Sequence, residues 1–368
     1  MKKVLIVNPI VYTSETKDVP EVHSIKDTMI YDLCLAFHES GYEVVLFAAE
    51  PYRPVMDEMY PFEIRWAKCV LPQIFLVHRF PVLSGLYSYI RENRDSIELI
   101  ISGEIFSMNS LLAYWAAEKK LLIWHELAKH NALFKKIPSK VWYNFVARFF
   151  MKRAHVVARS KDAKEFISKY CGNVSETIID HGVNLSKFQA CEQKENCLLV
   201  CSQLIARKRI DGILRKFCEY LKAYDSTTML YIAGSGEEEQ ALRELTQELS
   251  ISSNVVFLGK ISHEVLQPIL ARSKALLVNT VKDNSMISIV ESIAVGTPIL
   301  TTDVPLNSEY IKAHQLGIAK KEWDEHDIHE IILNNDRYVS NCLCYREKLS
   351  TTYKVAQFFD VLRNKVSE

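Results

Sequence analysis

Two acidic residues, Asp283 and Glu291, bracket the most informative segment of the sequence. The segment follows the apolar run Ala275–Val278 and leads into a predicted helix. The first backbone N–H groups of a helix have no acceptor within it, so they suit a phosphate group or sugar hydroxyls. Glu291 lies about one turn into this helix, where a carboxylate can accept two hydrogen bonds from a vicinal diol such as a ribose. The alternative, a solvent-facing glutamate, fits its apolar neighbours less well.

A basic loop, residues 202–209, comes directly after the predicted strand Cys197–Cys201 and enters a helix. Its Lys208 and the neighbouring arginines stand at a helix N-terminus, a combination that attracts anions. A solvated surface loop is the alternative, because runs of charge are most often solvated. The residues alone leave both interpretations open.

Gly234 and Gly236 follow another predicted strand, Met229–Ala233, at its turn into a helix. Glycines at such a turn let a ligand or a second backbone segment approach closely. The third glycine of the dinucleotide-binding fingerprint is missing, because Glu239 stands there, and this disfavours a nicotinamide cofactor.

In the first half of the chain, His125 follows the apolar run Leu121–Trp124. A histidine at the carboxyl end of a parallel strand can face a ligand, donate a hydrogen bond or shuttle a proton. His130 and His181 are weaker candidates for such a role. A purely structural histidine is the alternative for all three.

The segment Lys135–Arg153 interleaves aromatic and apolar residues with six lysines and arginines. A helix of this kind either lies with its basic face on an anionic membrane or belongs to the core of a domain. In the second case it would bury Trp142, Phe145, Phe149 and Phe150. Both alternatives are retained.

Short apolar runs alternate with longer helical patterns along the whole chain, which is typical of parallel sheets covered by helices. The pattern starts again after about residue 190. We therefore predict an N-terminal domain of residues 1–190, a C-terminal domain of residues 191–350 and a final helix in residues 351–368, which could pack back on the N-terminal domain. Ligands bind beyond the carboxyl ends of such strands, where the segments above lie. The runs predicted as strands are Val4–Val7, Glu43–Phe47, Leu99–Ser102, Leu121–Trp124, Val156–Arg159, Thr177–Ile179, Cys197–Cys201, Met229–Ala233, Asn254–Phe257, Ala275–Val278 and Pro298–Thr301.

The composition narrows the function classes. Lysine plus arginine and aspartate plus glutamate both number 45, and this balance argues against a dedicated nucleic-acid-binding protein. The nine cysteines include no CxxC pair, so we expect reduced thiols and no metal site. No apolar stretch approaches the ~20 residues that span a bilayer, and the apolar run after Met1 is too short for a signal peptide. We expect a cytoplasmic protein, at most peripheral on the inner face of a membrane.

The order of these segments resembles that of the retaining family-four glycosyltransferases, which have the GT-B fold of two Rossmann-like, doubly wound α/β domains facing each other across a cleft. The resemblance covers residues 177–302, whereas the first half matches only through its strand pattern and the position of His125. Five segments carry it: Ile179–Phe188 is similar to the family's PNGVD…F phrase, Gln203–Lys208 to RL…K, Ala233–Gly236 to GxG, Asp283–Pro298 to E-x7-E-A-x-A-x-G-x-P, and Phe257–Gly259 is a softer match.

The resemblance implies a nucleotide-sugar donor bound by the C-terminal domain. Lys208 would neutralise the donor diphosphate, on which charge grows as it leaves. Glu291 would hold the nucleotide ribose, and Asp283 would bind a donor-sugar hydroxyl. The catalytic positions that it implies are His125 and Asp283, and the donor-binding positions are Gln203, Lys208, Gly234, Gly259, Lys260, Ser285, Met286, Ile287 and Glu291.

Three positions depart from the family pattern. Gln203 stands where an arginine is usual, which removes one positive charge near the diphosphate. We expect Arg207 or Arg209 to compensate for it. Asp283 stands where a glutamate is usual. Its side chain is one methylene shorter and reaches less far, so the family pattern does not fix the identity of the donor sugar. Residues 10–20 contain no glycine, so the family's glycine-rich loop after the first strand is absent.

The function implied is a retaining, metal-independent glycosyltransferase that uses a UDP- or GDP-sugar as substrate and needs no cofactor. The leaving phosphate would act as the base. The acceptor would be a sugar or a lipid-linked sugar on the N-terminal domain, in the synthesis of a cell-surface polysaccharide. The alternatives are a sugar-nucleotide epimerase or inverting transferase on the same fold, and a non-catalytic nucleotide-sugar-binding protein.

Overall fold

The computed structural model describes residues 2–12, 18–130, 136–283 and 285–367, and the chain divides into two compact units. The N-terminal unit consists of Met1–Gly182 and Thr351–Glu368, and the C-terminal unit of Val183–Ser350. Backbone hydrogen bonds place the division before the predicted residue 190. The N–H of Val183 donates to the carbonyl of Leu349, and both residues belong to the C-terminal unit.

Six parallel strands form the sheet of the N-terminal unit, in the order β3-β2-β1-β4-β5-β6. Consecutive strand residues such as Val4–Val7 are buried, as expected where helices cover both faces of a parallel sheet. The strands are β1 (Lys3–Val7), β2 (Glu43–Ala49), β3 (Glu63–Ala67), β4 (Ile97–Gly103), β5 (Leu121–His125) and β6 (His155–Ala158). The helices between them are α1 (Met29–Glu39), α2 (Leu86–Glu92), α3 (Met108–Ala117), α4 (Ile137–Val141, continued as a π-helix over Trp142–Phe150) and α5 (Lys161–Ile167).

The C-terminal unit repeats this plan with the strand order β12-β11-β10-β7-β8-β9, again all parallel. The strands are β7 (Cys197–Cys201), β8 (Met229–Ala233), β9 (Val255–Gly259), β10 (Ala275–Leu277), β11 (Ile299–Thr302) and β12 (Gly317–Lys320). The helices are α6 (Ile210–Ala223), α7 (Glu239–Glu248), α8 (His263–Arg272), α9 (Ile287–Ala294), α10 (Ser308–His314), α11 (Glu325–Leu333) and α12 (Asn335–Tyr345).

The predicted α/β class with two parallel sheets is confirmed, and the differences lie at sheet edges. The edge strand β3 was not predicted, because its sequence Glu-Ile-Arg-Trp-Ala alternates polar and apolar residues instead of forming an apolar run. The edge strand β12 was also missed. Residues 177–179, predicted as a strand, lie outside any strand, although the N–H of Ile179 donates to the carbonyl of Ala158 at the end of β6.

The last helix, α13 (Thr351–Ser367), belongs to the N-terminal unit although it follows the C-terminal unit in sequence. Phe358 of this helix is fully buried. Its ring centroid lies 6.2 Å from that of Phe37 in α1 and 5.5 Å from that of Trp124 in β5. The N-terminal unit therefore gains part of its core from the end of the chain.

We expect Phe358→Ala to lower the free energy of unfolding of the N-terminal unit by about 3–5 kcal/mol, because it removes a large buried ring and leaves a cavity. The measurement is urea unfolding of the full chain followed by tryptophan fluorescence. Phe149→Ala is the matched control, since Phe149 lies in the same unit with its side chain exposed, and it should change the stability by less than about 0.5 kcal/mol. Equal effects of the two substitutions would contradict this account of the core.

Candidate active site

An ion pair between Lys208 and Asp283 joins two loops of the C-terminal unit. The Lys208 Nζ donates to Asp283 Oδ2 at 2.6 Å, and Arg207 Nη1 lies 3.1 Å from Oδ1. Thr280 Oγ1 also donates to Oδ2, at 2.8 Å. Lys208 is only 9% exposed, so its charge depends on a nearby counter-charge. The structure thus brings together two residues that the sequence placed after different strands, β7 and β10.

The donors around Asp283 keep its carboxylate ionised. Burial alone would raise the pKa of Asp283, but the hydrogen bonds from Lys208 and Thr280 and the charge of Lys208 outweigh burial and hold this pKa below its usual value. Asp283 is therefore charged at neutral pH. A ligand that competes with Asp283 for Lys208 must itself be an anion.

The Glu291 carboxylate, by contrast, lies on α9 without a hydrogen-bond donor among the described residues. Glu291 is 7% exposed, and the His263 ring lies beside it, with Nδ1 3.6 Å from Oε1. Burial raises the pKa of Glu291, and the charge of His263 opposes this rise only in part. A buried carboxylate in this state gains free energy from any ligand that donates hydrogen bonds to it.

The N-terminus of α9 combines one satisfied N–H group with open ones. The N–H of Met286 donates to Asn307 Oδ1 at 2.6 Å, and Asn307 Nδ2 donates to Ser285 Oγ at 3.1 Å. No residue in the described ranges accepts the N–H of Ile287 or Ser288. These two groups can bind an anion or a hydroxyl without breaking a hydrogen bond to any residue in those ranges.

Gly234 and Gly236 are required by the packing of the protein itself. A Cβ atom on Gly234, whose φ is +137°, would lie 1.8 Å from the carbonyl oxygen of Ser202. A Cβ atom on Gly236 would lie 2.2 Å from the carbonyl oxygen of Leu204. The N–H of Gly234 also donates to the carbonyl of Gly259 at 2.8 Å. The glycines therefore hold the loops after β7, β8 and β9 together, whether or not a ligand approaches them.

The other predicted donor residues are Gln203 and Lys260, which are both exposed. Their roles stay predictions. Sequence reasoning missed Thr280 and Asn307, which orient Asp283 and the start of α9. The rule that ligands bind beyond the carboxyl ends of strands could have identified Thr280, because it follows β10. No local sequence spacing links Asn307 to Met286. Asn284, a neighbour of these residues in sequence, lies outside the described residues.

In the N-terminal unit, His125 ends β5 and is fully buried within the unit, so its ring does not reach the surface as the sequence suggested. Its Nδ1 lies 2.8 Å from Glu104 Oε2, and its ring stacks on that of Phe166. The other carboxylate oxygen of Glu104 accepts the N–H of Glu126 at 2.8 Å. The predicted contact of His125 with the reacting sugar stays a prediction.

Arg159 organises a second polar group beside this pair. Its Cζ lies 3.6 Å from the centre of the Trp124 ring, and its Nη1 donates to Glu126 Oε2 at 2.8 Å and to His181 Nε2 at 3.2 Å. Burial and the positive charges of Arg159 and Lys354 lower the pKa of His181 to about 3. The His181 ring is therefore neutral at pH 7, with its proton on Nδ1.

A cavity of about 730 Å³ opens beside these polar groups, and all its lining residues belong to the N-terminal unit. Glu104, Glu126, Arg159 and His181 line it together, and further polar lining residues are Asn8, Thr28, Arg79, Ser107 and Asn109. Glu104, Glu126 and Arg159 directly follow β4, β5 and β6, and His181 lies just before the unit boundary. Of the four, only His181 was a candidate in the sequence analysis. The remaining wall is largely apolar and includes Val11, Ile30, Phe80, Phe106, Met108 and Trp142.

The helix that runs through α4 and its π-helical continuation has one buried and one exposed face. Tyr143, Ala147 and Met151 are buried, whereas Phe145 and Phe149 are 55% and 66% exposed. A core helix would bury Trp142, Phe145, Phe149 and Phe150. Phe145, Phe149 and Phe150 are exposed, and Trp142 is half-buried. We call the exposed set the aromatic ridge: Ile137, Val141, Phe145, Phe149 and Phe150. Lys135, at the start of the predicted segment, lies outside the described residues, and no described helix is long and apolar enough to cross a membrane.

Two family models match the chain and together extend from residue 27 to residue 334. The family described as Glycosyltransferase Family 4 matches residues 27–187. The family described as Glycosyl transferases group 1 matches residues 184–334, which include Lys208, Asp283 and Glu291. The resemblance stated from the sequence is confirmed by both.

Curated relatives and solved structures agree with these families. The chain is 26% identical over 190 residues to the O-antigen chain mannosyltransferase RfbU of Salmonella typhimurium, which covers 50% of this chain and 53% of that protein. It is 26% identical over 212 residues to the alpha-monoglucosyldiacylglycerol synthase of Streptococcus pneumoniae, which covers 53% of this chain and 47% of that protein. The chain thus spans about half the length of the curated relatives it matches. The sucrose-phosphate synthase of Thermosynechococcus elongatus has a similar fold, with a TM-score of 0.60, 15% identity and 100% of both chains covered.

We expect Asp283→Asn to lower the free energy of unfolding of the C-terminal unit at pH 7 by about 2 kcal/mol, because it leaves Lys208 buried without a full counter-charge. Since the folded pKa of Asp283 is depressed, its stabilising effect is present above its usual pKa of 3.8 and is lost as the pH falls through the lower folded value. The urea midpoints of wild type and variant should therefore differ at pH 7 and converge in acid.

Glu248→Gln is the matched control for this change from carboxylate to amide, because Glu248 is exposed on α7 of the same unit. It should leave the urea midpoint nearly unchanged at both pH values. A wild-type midpoint for Asp283→Asn at pH 7 would show that the ion pair does not stabilise the unit.

Proposed function

The chain belongs to the family-four, group 1 glycosyltransferases, and we propose that it transfers a sugar from a UDP- or GDP-sugar to a sugar or lipid-linked sugar acceptor. One observation carries this proposal. The buried Glu291 carboxylate has no hydrogen-bond donor among the described residues, and the same residues provide no acceptor for the N–H groups of Ile287 and Ser288 at the start of its helix. A nucleotide ribose supplies two hydroxyl donors to the carboxylate, and phosphate or sugar oxygens accept from the N–H groups.

Lys208 supplies the charge that the leaving diphosphate needs. In the structure its ammonium group is held by Asp283, so it is already positioned and desolvated before any donor arrives. A diphosphate competes with Asp283 for this group and gains more as negative charge grows on it during departure. Arg207, whose Nη1 also contacts Asp283, supports the suggestion that it replaces the arginine usual at position 203.

Asp283 would then be released toward a hydroxyl of the donor sugar. Its carboxylate is held ionised, which makes it a strong acceptor for such a hydroxyl. We further propose that the transfer retains the anomeric configuration, with the leaving phosphate as base, and that it needs neither a metal nor a cofactor. The support is the matched motif order together with Lys208 and the α9 N-terminus as the groups that neutralise phosphate charge.

The N-terminal unit would bind the acceptor at its polar group of Glu104, Glu126 and Arg159. Two relatives act in glycan or glycolipid synthesis by their names, the O-antigen chain mannosyltransferase and the alpha-monoglucosyldiacylglycerol synthase. They support a role for this chain in making a cell-surface polysaccharide or glycolipid. His125, through its contact with Glu104, would orient this polar group or stabilise charge near the reacting sugar.

We also propose that the aromatic ridge places the protein on an anionic membrane. Exposed aromatic and aliphatic side chains on one face of a helix, with Lys140 and Arg148 exposed among them, combine apolar insertion with attraction to anionic lipids. The basic residues Lys136, Lys152 and Arg153 flank the helix and are exposed too.

Nucleotide binding tests the donor site. We expect UDP or GDP at about 100 times its dissociation constant to stabilise the protein by about 2.7 kcal/mol in a thermal melt, whereas ADP and CMP give smaller shifts. Glu291→Ala should weaken that binding at least about tenfold, because two hydrogen bonds to a carboxylate are lost. EDTA is present throughout, since the proposed charge neutralisation needs no metal.

The control variant is Glu264→Ala, an exposed glutamate on α8 of the same unit, which should bind the nucleotide like wild type. Wild-type affinity in Glu291→Ala would reject the site, and the absence of a shift with every nucleotide and with intact UDP- and GDP-sugars would reject the donor class. Once a productive donor and acceptor are identified, the anomeric configuration of the product, read by NMR, decides between retention and inversion.

Vesicle binding tests the aromatic ridge. We expect the protein to sediment with vesicles of an anionic phospholipid and not with neutral ones, and high salt to weaken this binding. Phe145→Ser/Phe149→Ser should weaken it at least about tenfold, because two aromatic rings no longer insert. Met56→Ser/Met59→Ser is the matched control, since both methionines are exposed elsewhere in the same unit. Equal binding of the two double variants would contradict the proposed surface.

A further inference from the structure

The cavity of the N-terminal unit is far more apolar than the binding of a free sugar requires. Sugar sites place hydrogen-bonding side chains around the ring hydroxyls, but most of this wall consists of aliphatic and aromatic side chains. Val11, Ile30 and Phe106 are examples. Four of the ionisable residues, Glu104, Glu126, Arg159 and His181, lie together in one part of the wall, and Arg79 is a further charged residue that lines the cavity.

Several polar groups of the wall already have partners within the protein. The indole N–H of Trp142 donates to the carbonyl of Ile105 at 2.7 Å, and that of Trp124 donates to the carbonyl of Ile179. Both tryptophans therefore offer ring surface rather than a donor to the cavity. Asn109 likewise donates to the carbonyl of Pro81 and accepts the N–H of Leu83, so its amide is occupied.

The cavity wall and the aromatic ridge are two sides of one helix. Pro138 and Trp142 line the cavity, while Ile137 and Val141, their neighbours in sequence, are exposed on the ridge. Apolar residues at consecutive positions of the helix therefore belong to the cavity wall and to the face that we place on a membrane. A hydrocarbon chain that enters the cavity leaves water, which favours its binding in proportion to the apolar area buried.

We infer that this cavity holds the hydrocarbon chain of an amphipathic acceptor, whose polar head lies against Glu104, Glu126, Arg159 and His181. The inference rests on the proposed function, because it assigns the acceptor to the N-terminal unit. It narrows the acceptor from a sugar in general to one carried on a single apolar chain. The volume of about 730 Å³ lies within the range of cavities that enclose small organic ligands.

A chain-length series tests the inference without knowledge of the natural acceptor. The probes are hexyl, octyl and decyl glucoside, each used below the concentration at which it forms micelles, and binding is followed by tryptophan fluorescence because Trp124 and Trp142 line the cavity. We expect the affinity to rise about 15-fold for each added pair of methylene groups until the cavity is filled.

The variant Ile74→Glu/Leu76→Glu puts two carboxylates on the apolar wall and should abolish this chain-length dependence. Val55→Glu/Met56→Glu is the matched control. Val55 is as exposed as Ile74, at 67% against 69%, but neither Val55 nor Met56 lines the cavity. All three proteins should keep the nucleotide-induced thermal shift, which shows that the variants are folded. Equal affinity for the three glucosides in the wild type would overturn the inference, as would the same chain-length dependence in both double variants.

The chain-length series and the nucleotide assay fail independently. If no nucleotide or nucleotide-sugar raises the melting temperature, but the affinity for glucosides still rises with chain length, the proposed transferase is rejected and a chain-binding cavity remains. A normal nucleotide shift without chain-length dependence would keep the transferase and direct the search for its acceptor to free sugars.

Discussion

Both units depend on the same constraint, a parallel sheet whose two faces are covered by helices. Strands in such sheets carry apolar residues at consecutive positions, as Val4–Val7 do in β1, so the faces cannot carry polar chemistry. Polar side chains are left to the loops at the strand ends. In the C-terminal unit these loops hold Lys208 and Asp283, and in the N-terminal unit they hold Glu104 and Arg159. The position of each polar group follows from the burial of the strands behind it.

Desolvation at these strand ends makes charge compensation necessary, and the structure provides it pair by pair. Lys208 has Asp283, Arg159 has Glu126, and Glu104 has His125, each within 2.8 Å. Opposite charges and hydrogen bonds offset the loss of water in the first two pairs, and in the third the His125 ring lies in contact with the Glu104 carboxylate. Glu291 differs, since among the described residues only the His263 ring lies beside its carboxylate, at 3.6 Å, and burial raises its pKa. That uncompensated carboxylate is the physical reason to place a ligand there rather than at the stabilised pairs.

The sequence was sufficient to predict what local pattern controls. Apolar runs identified most strands of both sheets, and the spacing from Asp283 to Glu291 identified the helix that carries the candidate donor site. Edge strand β3 was missed because one of its sides is polar, and no run of apolar residues marks it. Residue pairing was also beyond the sequence. Lys208 and Asp283 are 75 residues apart, and Asn307 and Met286 are 21 apart, so only the folded sheet brings them together.

Residue type without its surroundings could not give the burial of His125. A histidine at a strand end suggested an accessible ring, but β5 is an internal strand, and Glu104, Tyr143 and Phe166 contact the side chain. The cavity beside it is lined instead by Glu104, Glu126 and Arg159, each of which directly follows a strand.

The helix from Ile137 to Phe150 carries features of both alternatives that one sequence pattern left open. Its buried face, with Tyr143 and Ala147, packs in the N-terminal unit, and its other face exposes Phe145 and Phe149. An aromatic residue costs free energy when it is exposed to water, and exposed apolar surface of this kind is typical of interaction sites. Because the same helix also lines the cavity through Trp142, the proposed membrane contact and the proposed apolar acceptor chain would account for its exposed side and its cavity side together.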